Sequence, residues 1–152
     1  MALYKTVNDF RESLAMQEYW KWPNFTPEEL ACKCGGRHCG GEYWHDPDVL
    51  DMLQAARTAV GKPFKINSAH RCDGHNKDVH GAKNSAHRQI AFDISTHNHD
   101  REQLLQALYD AGFTTFGFYM TFVHTDPRPW RLWYVNTKQI WEPIYDKVIK
   151  SE

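Results

Sequence analysis

Read for its apolar positions, the chain gives helices first and short strands later. Between Thr6 and Tyr19, Val7, Phe10, Leu14 and Ala15 fall at helical spacing with charges between them, which predicts a short amphipathic helix. Trp20 to Phe25 reads as an extended aromatic segment. Thr26-Pro27-Glu28-Glu29 then has the form of a capping box with proline at the first helical position, so a brief helix ending near Cys32 is expected. Asp46 stands as an N-cap before Pro47, and Val49, Leu50, Leu53, Ala56 and Val60 make an apolar stripe closed by Gly61. This is the clearest helix in the chain.

Lys65 to Ser68 predicts a short strand, followed by a polar loop, Cys72 to Asn84, rich in Gly, Asn, Asp and His. Asp100 caps the next helix, where Leu104, Leu105, Leu108 and Tyr109 recur before Gly112 stops it. Three strands are expected after it, Thr114 to Tyr119, Met120 to His124 and Arg131 to Tyr134, and Ile140 to Tyr145 reads as a last short helix. The order predicts an α+β fold, with helices packed on a small antiparallel sheet.

A length of 152 residues with 41% apolar and 24% charged residues suits one soluble domain with one core. A net charge of −1 offers no electrostatic reason to bind nucleic acid or an anionic membrane. No apolar run approaches the roughly 20 residues of a membrane span, and the first ten residues lack the apolar stretch of a secretory signal. The expectation is a monomer made and kept in a cytoplasm. The aromatic share, 14%, is high enough to line a peptide or sugar groove, although filling the core is the simpler use.

Candidate chemistry begins in Asn84 to Ile94. His87 supplies an imidazole and Asp93 a hard oxygen, beside the packing residues Ile90, Ala91, Phe92 and Ile94. A third ligand is expected from His124, where Phe122 and Val123 can bury a strand while the histidine projects from it. Two histidines and one aspartate would hold zinc with a fourth position open, which is the donor set of a hydrolase centre. The other histidines lie mostly in polar loops, where solvation accounts for them; His80 is the reserve ligand. Cys32, Cys34 and Cys39 share a Gly-rich loop that could cradle a structural zinc completed by His38, His45 or Cys72. Cys-x-Cys is not the usual knuckle spacing, however, so reduced buried thiols are the favoured reading, with a disulfide as the weaker alternative, and a second ion is not favoured.

These segments resemble the zinc D-Ala-D-Ala carboxypeptidases and murein endopeptidases of the hedgehog-like peptidase superfamily. That family's hallmark is Ser-x-His-x-x-Gly-x-Ala-x-Asp followed by Val-His-x-Asp, and Ser85, His87, Ala91, Asp93, His124 and Asp126 match it. Ile66 to Arg71 is similar to the family's Ser-Gly-Tyr-Arg run. The chain departs from the pattern in one place: His87 to Asp93 is one residue short and the glycine is missing. A one-residue change in a strand turns a side chain to the other face, so the loop after His87 has to absorb the difference.

The resemblance implies one zinc peptidase domain over 1–152, with an N-terminal helical extension at 1–24, the family core at 25–134 and a tail at 135–152. It implies zinc on His87, Asp93 and His124, a hedgehog-like fold with the ligands on the sheet, and hydrolysis of peptide bonds in peptidoglycan stem peptides, as D,D-carboxypeptidase or endopeptidase. A phage endolysin, released to the wall from the host cytoplasm, is the expected setting. Arg71 takes the place of an arginine that faces substrate, as a catalytic and substrate-binding residue, and Ser85 is a second substrate-binding candidate that either bonds near the metal or caps a turn. Relatives carry an acid or histidine two or three residues before the last ligand, where this chain has Phe122 and Thr121. Asp126 is then the nearest carboxylate on the face of His124, as general base or as the group that orients His124. His70, His75 and Tyr119 are the other candidates for the base. A non-catalytic zinc-bearing module and a virion component are the alternative readings.

Overall fold

The computed structural model describes residues 1–13 and 20–151. Leu14 and Ala15 of the first expected helix lie outside the described residues. Met1–Pro47 with Ser68–Phe92 make one compact unit, and Asp48–Asn67 with Asp93–Glu152 make a second. The fold class is α+β, as the order of elements predicts.

In the first unit, strand β1 (Ala2–Tyr4) pairs antiparallel with β2 (Tyr43–His45), Leu3 opposite Trp44. Each is three residues long, too short to carry a readable alternation, so this small sheet was not expected. Helix α1 (Val7–Arg11) starts where the Thr6 hydroxyl accepts the Asp9 N–H at 3.0 Å. Its Phe10 is fully buried, edge-on to Tyr4 and against Tyr43. Helix α2 (Pro27–Leu30) has the expected capping box: Thr26 Oγ1 accepts the Glu29 N–H, and Glu29 Oε1 accepts the Thr26 N–H.

The polar stretch after Cys72 is not all loop. Asp73–Asp78 forms a helix, α4 in chain order, whose Gly, Asn and Asp disfavour a helix by propensity. The Cys72 sulfur supplies the start signal by accepting the His75 N–H at 3.4 Å, and Asn76 is buried with its amide on the Ala82 carbonyl.

The second unit contains α3 (Pro47–Val60), which buries Val49, Leu50, Leu53, Ala56 and Val60 as their spacing requires. Its sheet takes the order β3 (Ile66–Ser68), β4 (Phe92–Ser95), β6 (Phe122–Asp126), β5 (Thr115–Phe118), β7 (Leu132–Tyr134). β5 and β6 are antiparallel, but β7 runs parallel to β5, so the sheet is mixed where an antiparallel one was expected. The Val135 N–H bonds the Phe118 carbonyl, extending that parallel pairing. β6 starts at Phe122 and runs on to Asp126, two residues beyond its expected end, because Met120 and Thr121 form the exposed turn from β5.

Helix α5 (Arg101–Asp110) is capped by Asp100, whose carboxylate accepts the Gln103 N–H at 2.9 Å. It buries Leu104, Leu105, Ala107 and Leu108. Helix α6 (Lys138–Tyr145) lays Trp141 on Phe118 of β5, ring centroids 4.5 Å apart. A π-helical turn, Asp146–Lys150, ends the chain's regular structure. No helix among the described residues is long and apolar enough to cross a membrane.

Candidate metal centre

Strand alternation delivers two of the three expected ligands. In β4, Phe92 and Ile94 are fully buried and Asp93 turns to the opposite face. In the neighbouring β6, Val123 and Thr125 share one face and His124 and Asp126 the other. His124 Nδ1 lies 2.9 Å from Asp93 Oδ1, and its Nε2 lies 2.7 Å from Asp126 Oδ2. Register places Gly117 of β5 opposite both His124 and Trp133, and the Trp133 ring packs against the imidazole at 5.0 Å between centroids.

Asp126 is completely buried and shared. Arg128 grips it with its side chain, Nε to Oδ1 at 2.8 Å and Nη2 to Oδ2 at 2.7 Å, while its backbone N–H adds a 2.9 Å bond to Oδ1. Burial pushes the Asp126 carboxyl up, but the hydrogen bonds from Arg128 and His124 prevail and hold it at about 2. Burial likewise works against a charged His124, and its bonds to Asp126 and Asp93 outweigh that and raise its pKa. Arg128 escaped the sequence reading. Its position two residues after Asp126 is the only signal, and nothing in composition distinguishes it from a solvated turn residue.

His87 does not stand on a strand. It sits in a 3₁₀ turn, Ala86–Arg88, whose N-cap is Ser85: the Ser85 hydroxyl accepts the His87 N–H at 3.2 Å. Arg71 donates to that same hydroxyl from Nη2 at 3.2 Å, and its backbone N–H bonds the His87 carbonyl at 2.6 Å. The one-residue deficit before Asp93 is met by this tight turn and by Gln89, whose backbone takes the unusual values φ −113°, ψ −103°. His70, 1% exposed, holds the segment: its Nδ1 faces the Gln89 carbonyl at 2.6 Å and its Nε2 the Glu42 carboxylate at 2.8 Å. Glu42 was not singled out from sequence, since a lone acid after a Gly-rich loop carries no pattern.

Asp93 and His124 belong to the second unit and His87 to the first, and each offers one atom able to hold a metal. His80, the reserve ligand, is exposed with a left-handed backbone, φ 56°, and does not belong to this group. The donor set suits zinc in a further respect. His87 Nδ1 is 2.7 Å from the Ala69 carbonyl, which leaves Nε2 as the atom it could offer a metal, and the Asp126 bond leaves Nδ1 as that of His124. Each imidazole thus has one nitrogen held by an oxygen outside the candidate set, and the other nitrogen of His124 faces Asp93 Oδ1 within it.

Comparison with curated proteins finds no match. The family model for Peptidase M15 matches residues 23–126, more than half of the chain and a span that takes in all three candidate ligands. The chain therefore belongs to the Peptidase M15 family.

Proposed function

We propose that the chain is a zinc-dependent peptidase that hydrolyses peptide bonds in the stem peptides of bacterial peptidoglycan, as a D,D-carboxypeptidase or an endopeptidase. The observation that carries this reading is the pairing of Asp93 and His124 on neighbouring strands, 2.9 Å apart, in a member of Peptidase M15, with His87 as the third ligand. Zinc on such a set acts as a Lewis acid toward a scissile carbonyl and makes water nucleophilic near neutral pH.

The protein's own groups divide the remaining work. Asp126, with Arg128 behind it, fixes the tautomer and direction of His124, and a carboxyl held at about 2 is too weak a base to gain much from proton abstraction at neutral pH. Arg71, half-buried and tied to Ser85, offers a guanidinium fork to an anionic part of the substrate, such as a terminal carboxylate. The phage endolysin setting, with release from the host cytoplasm, rests on sequence resemblance alone.

A second reading, a non-catalytic zinc-bearing module, is favoured by Thr121 and Phe122 standing where relatives carry a proton acceptor, and by Asp126 being fully engaged. Purified sacculi decide between the two. The enzyme reading expects loss of turbidity that chelator abolishes, with new amino or carboxyl ends identified by mass analysis. Binding to sacculi with no released fragment, at full zinc content, supports the module. Elemental analysis should show about one equivalent of zinc lost in His87→Ala and in His124→Ala. Retention of the parent's full metal content by both variants would discard these ligands.

A further inference from the structure

A second set of metal-binding atoms lies within the first compact unit. Cys32 follows α2, Cys34 and Cys39 lie in the Gly-rich loop, and Cys72 precedes α4, yet their four sulfurs lie within 4.8 Å of one another. The Cys34 and Cys39 sulfurs are 3.5 Å apart, and all four thiols are unbridged. Sulfurs on a zinc ion at about 2.3 Å define a tetrahedron with edges of about 3.8 Å, so small side-chain rotations suffice to close one here.

The backbone around the cluster is arranged for sulfur as acceptor. Cys32 Sγ takes the Cys72 N–H at 3.4 Å, Cys34 Sγ the His38 N–H at 3.5 Å, Cys39 Sγ the Glu42 N–H at 3.3 Å and Cys72 Sγ the His75 N–H at 3.4 Å. Every sulfur is thus met by at least one amide dipole. That pattern stabilises thiolate sulfur, the form that binds metal, and surrounds a site with the outer hydrogen bonds that hold its ligands in place. Gly35 and Gly36, at φ +70° and +88°, supply the left-handed turns that fold the loop back, and the Cys32 N–H closes it on the Glu42 carbonyl at 2.8 Å.

We infer that Cys32, Cys34, Cys39 and Cys72 together bind one zinc ion as a closed structural site, distinct from the His87, Asp93 and His124 centre. Four protein sulfurs fill a tetrahedron and leave no position for substrate, so the ion's role is to fasten chain to chain. It ties the 32–42 loop to the segment in which Cys72 adjoins Arg71. Sequence alone favoured reduced thiols because Cys-x-Cys departs from the knuckle spacing. Cys72, 33 residues beyond Cys39, stood there as one of three possible fourth ligands, and spacing could not choose among them.

The test uses the full chain, purified under reducing conditions from zinc-supplemented medium. Stepwise addition of a mercurial thiol reagent, read with a zinc-sensitive dye, should release one zinc as the four thiols react. Because the reagent acts at sulfur, the same release is expected from a His87→Ala, His124→Ala double variant, whatever its peptidase activity. Cobalt exchanged into that double variant should give the intense sulfur-to-metal charge-transfer absorption of a tetrahedral thiolate site, and Cys39→Ser should weaken it, one of four sulfur ligands being gone. Should Cys39→Ser fail to fold, the titration of the parent chain still decides. Four thiols that react without releasing zinc, disulfides persisting in reductant, or iron in place of zinc would each overturn the assignment.

Discussion

His124 and Asp126 stand two residues apart on one face of β6, and the imidazole Nε2 lies 2.7 Å from the carboxylate. A group so placed orients the ring, and orientation is felt through metal affinity. Asp126→Asn keeps the shape but weakens the acceptor, so zinc should bind roughly 10 to 100-fold more weakly, with activity restored by added metal. Titrating zinc against sacculus hydrolysis checks this. Loss of turnover on the order of 10² or more at saturating zinc would instead make Asp126 the proton acceptor.

The parts of this centre that follow strand alternation were legible in the sequence. Asp93 between Phe92 and Ile94, and His124 after Val123, lie on the non-core faces that a period of two demands. Caps were equally readable at Thr26 and Asp100, where the side chain itself is the signal. What escaped depended on contacts distant in sequence or on an uncommon capping residue. The direction of β7 is set by pairing with β5, the α4 helix by a cysteine cap, and the seat of His87 by a 3₁₀ turn that His70 and Gln89 hold. Arg128 had no pattern to betray it, since its partner is known only once Asp126 is seen to be buried.

The Asp126 carboxyl also links stability to pH. Its folded value, about 2, lies below the roughly 4 of an unfolded aspartate, so ionisation stabilises the fold above the unfolded value, and that contribution is lost as pH falls towards 2. In chelated protein, the stability gap between the parent and Asp126→Asn should be full at pH 5 and shrink by about 2 kcal/mol between pH 4 and 2. Denaturant midpoints at stepped pH measure it. A gap constant across that range would show that Arg128 and His124 do not hold the carboxylate.

Gly117 makes the packing around His124 feasible. A Cβ there would lie 2.2 Å from Cε2 of Trp133, whose ring is braced by its N–H on the Tyr119 hydroxyl at 3.1 Å. Gly117→Ala must push the indole aside, at a cost of about 1–3 kcal/mol, and Trp133 leaves its place against the imidazole. A double-mutant cycle with Trp133→Ala should show strong coupling, the alanine at 117 costing much less once the indole is gone. Equal costs in both backgrounds would place the strain elsewhere.

Arg71 separates substrate recognition from structure. Its guanidinium reaches Ser85, the residue that caps the turn of His87, so a binding role and a bracing role predict different losses. If it grips an anionic group of the substrate, Arg71→Ala should lower turnover on the order of 10²-fold, leave zinc content unchanged and barely move the unfolding midpoint. Arg71→Lys should recover only part of that, because an ammonium lacks the paired donors of the fork. A bracing role gives the opposite set: an earlier unfolding transition, weaker zinc retention as the turn loosens, and normal turnover in the fraction that remains folded and metal-loaded. Measuring kcat, zinc content and the unfolding midpoint on the same preparations distinguishes the two, and the second pattern would remove Arg71 from substrate binding.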